Sequence, residues 1–567
     1  DRHTHPNSIY SNFCHVLNKF LKYTAVSALT LATGVIAVSC TDNFEELNTD
    51  QYELDPNTLP FSAQFQEPMS YVYAPQQNLF QFCFSLNIDL FSGYFMTPHN
   101  FGGSGNVDYA LNRGFCEGMY ENVYLHIFNN TRRLITSCEE QGFTDYAGMM
   151  RVIQAYSIQM LTDVYGPVSY TSAIEDPTNG ASFYYDKQED IYNSMFALLD
   201  EAIKNFQNPT SDLASRQSFD FWCNGDLDLW IKVANQLKLR MAMRIVKANP
   251  TLAKQKAEEA AQAGVLTQDI LINQGFSNEQ TRMFEWGDSG MNANLITIME
   301  GYNDPRLPLY VTKNQADVVC EDGSTIVSGT KYLGVRGGCN LPSKPNQWGN
   351  FSKIVCSYTT AFPIMKAAEG YFLRAEGILR GWNMGGGTAQ QWYEDGIRIS
   401  IKNEVAYKGI EVLAGVTSVS DAEIGAYING TTLQEDFVDP VDSQNSIKAQ
   451  NDVCVKWDEG ASNEQKLQRI IIQKWIANFP ISCEGWAEYR RTGYPKFFPN
   501  RVNLSNGTID TDEQIRRLIY SDNEINTNNA ELQKGIELLN QENSSSKFTG
   551  DIGGTRVWWD KANVGNF

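Results

Sequence analysis

Apolar positions recur along much of this chain with the roughly 3.6-residue period of amphipathic helices. Trp230, Val233, Ala234, Leu237 and Met241 fall at i, i+3, i+4, i+7 and i+11 on one face. Residues 188–206 place Ile191, Met195, Leu198, Leu199 and Ile203 on one stripe. Residues 251–263, rich in Ala, Lys and Glu, run up to Gly264, a residue suited to a left-handed stop. Ile470, Ile471, Lys474, Trp475 and Asn478 define another helix, which Pro480 closes. In residues 364–405, Met365, Ala368, Phe372, Ala375 and Leu379 form a stripe and residues 381–387 a glycine-rich turn. A second helix follows, with Trp392, Gly396 and Ile397 facing inward. Small residues set against aromatic ones are how a tetratricopeptide-type helix pair packs, although no strict repeat period recurs. Three long Gly/Asn/Pro-rich stretches, 98–114, 319–352 and 408–452, separate the helices; loops of this length are usually functional.

The amino-terminal pattern differs. Lys19 and Lys22 precede an almost uncharged run over residues 23–39, rich in Ala, Leu, Val and Thr, which ends at Cys40. The chain then turns acidic at Asp42, Glu45 and Glu46. A basic stretch, a short apolar stretch and small residues before the break describe an export signal, and the cysteine makes it a lipoprotein signal. The run, about 17 residues, is at the low edge of what crosses a ~30 Å hydrocarbon core, so an uncleaved anchor is the competing reading. Ala37-Val38-Ser39 is a loose version of the usual cleavage box, which prefers Leu at its first position. The expected organisation is a signal peptide over residues 1–39, including extra residues at its start. A lipidated Cys40 with a polar tether follows over 40–60, marked by Asp55-Pro56 and Pro60, and then a folded body over 61–567. Acyl chains on the Cys40 sulfur and amine would tether the body to a membrane while it stays in water.

Composition narrows the classes. The 567 residues hold 45 basic and 66 acidic side chains, a net charge of −21, with no dense Lys/Arg block. Nucleic-acid binding needs such a basic footprint, and so does attraction to anionic lipid. Of the eleven cysteines, those beyond Cys40 are spread from Cys83 to Cys483 with no C-x-x-C spacing, which argues against a zinc cage or a thioredoxin-type motif. Most read as small buried apolar residues. Cys320–Cys339 and Cys339–Cys356 are the pairings a loop-rich stretch would allow. Only His99 and His126 lie beyond the leader, which weakens any mechanism built on a histidine base or a His-rich metal site. The 12% aromatic content suits a protein that binds sugar rings or peptides.

Several fragments resemble one family. Residues 301–308, Gly-Tyr-Asn-Asp-Pro-Arg-Leu-Pro, are similar to an element of the SusD/RagB outer-membrane lipoproteins of Bacteroidetes. So are residues 365–376, Met-Lys-Ala-Ala-Glu-Gly-Tyr-Phe-Leu-Arg-Ala-Glu, followed by Gly381-Trp382-Asn383. Ile472-Gln473-Lys474-Trp475 and residues 484–495, Glu-Gly-Trp-Ala-Glu-Tyr-Arg-Arg-Thr-Gly-Tyr-Pro, resemble the family's carboxy-terminal signature. Residues 162–168, Thr-Asp-Val-Tyr-Gly-Pro-Val, and 555–560, Thr-Arg-Val-Trp-Trp-Asp, also match. The fragments are weak singly but lie in the family's order across nearly the whole body. The resemblance implies a mainly α fold, four tetratricopeptide-like helix pairs carrying an irregular loop-rich lobe and a few short strands. It also implies no catalytic residues, no cofactor and a place on the outer surface of the outer membrane. The implied partner is a SusC-like TonB-dependent transporter, to which oligosaccharide, or in some members peptide, is delivered. The acidic stretch after Cys40 resembles the export tag of such lipoproteins. An exported glycan-degrading enzyme is the third reading, with no motif in its favour.

Candidate sites are weighed against plainer roles. Residues 287–290, Gly-Asp-Ser-Gly, spell the surroundings of a serine-protease nucleophile, but no histidine stands in the expected context, and a turn with Ser as a helix cap is the better reading. The glycine-rich 381–387 lacks the Lys-Ser/Thr of a phosphate loop. Asp220, Asn224, Asp226 and Asp228 lack EF-hand spacing and read as caps of the helix beginning near Leu229. Close acid pairs such as Glu484 and Glu488 arise by chance, and the two carboxylates of a glycosidase are not indicated by any motif. Sugar binding calls for exposed aromatics beside Asn, Asp or Arg. The loop candidates are Tyr94, His99, Asn100 and Phe101 in the first stretch, and Tyr332, Asn346, Trp348 and Phe351 in the second, with Trp348 foremost. Trp392, Trp475 and Trp486 sit on helix stripes and read as core.

Overall fold

The computed structural model describes residues 59–101, 105–175, 182–272, 277–408, 416 and 418–567. Cys40, the leader and most of the tether lie outside them. The chain divides into two units, residues 1–64 and 65–567. Of the first, the described part is one helical turn, Phe61–Gln64, held by a bond from Gln64 Nε2 to the Leu59 carbonyl at 2.8 Å. Everything below concerns the second.

The body is built on helices: α1 (Asn129–Glu140), α2 (Thr144–Tyr165), α3 (Gln188–Gln207), α4 (Leu227–Arg244), α5 (Pro250–Ala263), α6 (Ala367–Leu379), α7 (Ala389–Lys408), α8 (Asn463–Asn478) and α9 (Ser482–Thr492). Short connections fold α1 on α2, α4 on α5, α6 on α7 and α8 on α9, while α3 packs between α2 and α4. These hairpins are the scaffold. The connections are sharp because the sequence supplies stops and caps. Asn249 caps α5 through the Leu252 N–H, with Pro250 in its first turn, and Gly264 ends it at φ 101°, open to glycine but outside the left-handed well. Asp226 caps α4 through the Leu229 N–H. Asp220 accepts from the N–H groups of Trp222, Cys223 and Gly225 and from Trp230 Nε1, so the acidic cluster is a turn and cap system. Gly396 lets α7 close on α6: a Cβ there would meet the Phe372 ring at 2.9 Å.

Two stripes shift from the sequence reading. Met365 belongs to a strand, and α6 begins two residues later. Trp392 is half-buried, capped by the Arg374 guanidinium at 4.5 Å, because Tyr393 takes the inward position. The strands form three two-stranded antiparallel ribbons: β1 (Phe95–Met96) with β3 (Gly290–Met291), β2 (Ile270–Ile272) with β6 (Phe362–Met365), and β4 (Val318–Val319) with β5 (Thr325–Ile326). The described cysteines are all free thiols, so neither anticipated pairing forms.

Charged side chains stitch the helices internally. Arg240 on α4 forks onto Glu369 on α6 with two bonds of 2.7 Å. Arg244 on α4 meets Glu484 on α9 and Asp163 on α2. Arg491 on α9 forks onto Glu376 on α6 at 2.7 and 2.8 Å and also holds Glu488, which takes Lys474 of α8 at 2.9 Å. Glu484 and Glu488 are therefore paired structural acids.

Asp89, in the short helix Ile88–Phe91 leading to β1, is a buried carboxyl with no cation partner among the described residues. Burial pushes it up to about 7, against the bond from the Ser482 hydroxyl, which lowers it. An acid held neutral in the fold but ionised in the unfolded chain makes stability fall with rising pH, here from the unfolded value near 4 up to about 7, at roughly 1.4 kcal/mol per unit. Asp89→Asn is expected to remove that decline in urea melts at pH 4, 5.5 and 7; an unchanged slope would assign the pH dependence elsewhere.

Candidate functional site

The β1–β3 pairing, Phe95 opposite Met291 and Met96 opposite Gly290, lays the first loop stretch beside the 287–290 turn. Beneath it Tyr94 is a foundation: fully buried, stacked on Trp475 at 5.0 Å, with its hydroxyl on the Trp475 carbonyl at 2.5 Å. A Cβ at position 485 would strike the Tyr94 ring at 2.9 Å, so Gly485 makes room for it. Tyr94 therefore offers no face to a ligand, contrary to its selection from sequence.

The second loop clips onto the first. Asn346 Nδ2 donates to the Pro98 and Pro342 carbonyls, both at 3.0 Å, and the Asn100 N–H donates to Pro342 at 3.1 Å. At the junction Asp288 is a hub. It accepts from His99 Nε2 at 3.0 Å, Lys344 Nζ at 2.7 Å and Gln81 Nε2 at 3.1 Å. Burial raises its carboxyl, but the bonds and charges of His99 and Lys344 outweigh that and hold it below the usual carboxylate range. Lys344 also donates to the Trp286 carbonyl at 2.9 Å and stays substantially exposed. The Gly-Asp-Ser-Gly element is thus a turn whose Asp ties two loops together. Asn292, not Ser289, caps the following helix. His99 Nδ1 lies 2.9 Å from the Asn100 carbonyl, so both ring nitrogens are engaged and neither is left to serve Ser289 as a base.

A line of rings borders this hub. His99 stacks on Phe101 at 5.1 Å, Phe101 meets Phe115 edge-on at 5.8 Å, and Phe115 lies 5.9 Å from Phe82. Phe101, Phe115, Phe82 and Trp286 are all half-buried. Gln81 and Phe82 sit on a wide π-type turn, Gln81–Ser85, a local form frequent at functional sites. The result is an aromatic platform flanked by an ammonium, amides and a fixed carboxylate.

Of the eight loop residues chosen from sequence, His99, Asn100, Phe101 and Asn346 come together here. The other three of the second loop do not. Trp348 is 8% exposed and donates its indole N–H to Asp439 at 2.9 Å. Phe351 is buried, and Tyr332 is half-buried below the Lys313 ammonium. The sequence reading missed Gln81, Phe82, Phe115, Trp286, Asp288 and Lys344. The available signal was Trp286, placed at a helix end next to Gly287. A cleft of about 1020 Å³ lies elsewhere, between α5, residues 379–382 and residues 564–567, with walls of aliphatic, charged and amide side chains beside Trp382 and Phe567. No cluster of His, Cys, Asp and Glu among the described residues could hold a metal ion.

A family model described as SusD and RagB outer membrane lipoprotein, SusD-like, matches residues 42–560. Among solved structures, a chitin-binding SusD homologue from Flavobacterium johnsoniae superposes with a TM-score of 0.78 at 34% identity, over 89% of this chain and 99% of its own. A SusD homologue from Bacteroides thetaiotaomicron does so at 0.78 and 30%, over 89% and 100%. One from Bacteroides vulgatus gives 0.78 at 29%, over 89% and 98%. No curated protein sequence matches the chain significantly.

Proposed function

The chain belongs to the SusD-like family of outer-membrane lipoproteins, and from that premise we propose that it is a surface-anchored protein that binds oligosaccharide and hands it to a SusC-like TonB-dependent transporter. The observation that carries the reading is the ring line His99–Phe101–Phe115–Phe82 set beside the Asp288 hub. The apolar C–H face of a pyranose covers such rings, and its hydroxyls meet the Lys344 ammonium, the Gln81 amide and the Asp288 carboxylate. The work is capture and release, with no bond broken. That a relative of 34% identity is described as chitin-binding supports saccharide over peptide.

The anchor is Cys40, lipidated after removal of residues 1–39, with the tether over 40–60 giving reach. The family match begins at residue 42, just beyond that cysteine, which supports the boundary. No helix among the described residues is long and apolar enough to cross a membrane. Calorimetric titration of the 61–567 body with soluble chitin, cellulose, starch, xylan and mannan oligomers tests the reading. One glycan class is expected to saturate the protein and to be recovered at its original length. Binding of peptides and no glycan, or shortening of the oligomer, would overturn it.

A further inference from the structure

A second ring-lined cavity lies on another face. The helical run through Gly118–Asn122 and α1 widens into a π-type turn over Val123–Phe128. Tyr120, Tyr124 and Phe128 form a ladder there, with centroids 4.8 and 5.9 Å apart. With Phe183 they line a cavity of about 440 Å³, within the roughly 300–1,000 Å³ of small-molecule sites. The cavity beside His99, Asn100 and Phe101 is smaller, about 30 Å³. The two share no lining residue.

The polar groups of this cavity are unspent. Glu121 and Arg132 line it, and neither forms an ion pair among the described residues. Among the described residues the Arg132 side chain is bonded only through Nε, at 3.4 Å to Asn129 Oδ1, which leaves its terminal N–H groups for another acceptor. Burial and the neighbouring Glu117 push Glu121 up, and burial with Arg133 pushes Arg132 down, as expected of charges that lose water without gaining a partner. Glu524 takes Tyr185 and Asn528 on Oε2, leaving Oε1 for a further donor. Tyr124 and Phe183, half-buried beside the buried Tyr120 and Phe128, present the ring surface, and with Glu121 and the Arg132 guanidinium on the same wall they ask for a ligand that has an apolar face and hydroxyls able both to donate and to accept.

We propose that this cavity is a second saccharide site, separate from the platform, sized for one or two sugar rings. An apolar peptide side chain would cover the rings but bring no partner for Glu121 or for the terminal N–H groups of Arg132. A glycan can satisfy both. Two sites of different size suit one polymer: the platform carries an internal stretch, and the roomier cavity takes a chain end or branch. Simultaneous engagement raises avidity without new contacts.

The test uses the whole 61–567 body and the disaccharides chitobiose, cellobiose, maltose, xylobiose and mannobiose, with binding followed by ligand-observed NMR and calorimetry. In a Phe101→Ala/Phe115→Ala background, which removes the two central rings of the platform, at least one disaccharide is expected still to bind. Adding Phe183→Ala or Arg132→Met should weaken it at least about tenfold. Phe183 is half-exposed, and the Arg132 guanidinium holds no ion pair, so both variants should fold, as circular dichroism checks. Loss of all disaccharide binding in the platform-null background overturns the second site and leaves the platform standing. Binding untouched by the platform substitutions but abolished at Phe183 supports the cavity and overturns the platform. Binding indifferent to Phe183 and Arg132, or uptake of hydrophobic peptides alone, overturns the cavity proposal.

Discussion

Arg491→Ala is expected to cost the body about 3–5 kcal/mol, the penalty for breaking a buried ion pair by removing one partner. Arg491 is fully buried and holds two carboxylates on different helices: Glu376 of α6 by a fork at 2.7 and 2.8 Å, and Glu488 of its own helix at 2.6 Å. Arg380 and Lys474 remain on those acids at 2.9 Å each, so the variant keeps some compensation, yet each acid loses its closest cation. Net stabilities run to about 5–15 kcal/mol, so the loss is a large part of the whole. Arg491→Lys should recover less than half, because a point ammonium cannot fork onto both Glu376 oxygens. The pH dependence sharpens the test. Burial raises the Glu376 carboxyl, but Arg491 and Arg380 overcome this and hold it at about 2. A depressed acid contributes stability that is complete above its unfolded value near 4.5 and is lost as pH falls toward 2. Arg491→Ala should therefore shrink the acid limb as well as lower the plateau. A urea midpoint within about 1 kcal/mol of wild type at pH 7 would show that this junction does not hold α6 to α9.

That junction also explains which parts of the molecule could be read from sequence. The family fragments contribute Asp163, Asp304, Arg306, Glu376, Lys474, Glu484, Glu488, Arg491, Arg556 and Asp560, and every one is a buried ion-pair member. A charge in a low-dielectric interior must be paired and bonded, so its position relative to the apolar stripe is fixed and recognisable. The helices were legible for a similar reason: Trp230, Leu237 and Met241 are all fully buried on the face their spacing defines. The platform has no such local rule. It draws Gln81, Phe101, Phe115, Asp288 and Lys344 from five separate segments joined by the two-residue ribbon β1–β3 and by Asn346. Position in a loop also says little about burial. Tyr94 stands one residue before β1 and is folded under it. Trp348, between Pro345 and Gly349, is turned inward by the short helical turn Gln347–Asn350 toward Asp439.

Phe101 and Trp348 consequently part company in a paired experiment. Phe101→Ala removes the central ring of the line, the one in contact with both His99 and Phe115. If saccharide rests on that line, affinity for the bound oligomer falls by about 1–2 kcal/mol, roughly five- to thirtyfold, the scale of one aromatic contact with its buried area. The fold should barely change, because the ring is half-exposed at the edge of a loop. Trp348→Ala does the reverse. It empties a buried indole site and removes one of the four hydrogen bonds to Asp439, leaving those from Asn445, Val441 and Asp442; the cavity costs about 3–5 kcal/mol in the loop-rich lobe, while affinity stays within about twofold provided the lobe remains folded. Trp348→Phe keeps most of the volume and gives that condition a milder check. Should Trp348→Phe abolish saccharide binding while Phe101→Ala leaves it intact, the ligand lies on the second loop stretch, and the platform at Asp288 is only the clasp that holds two loops together.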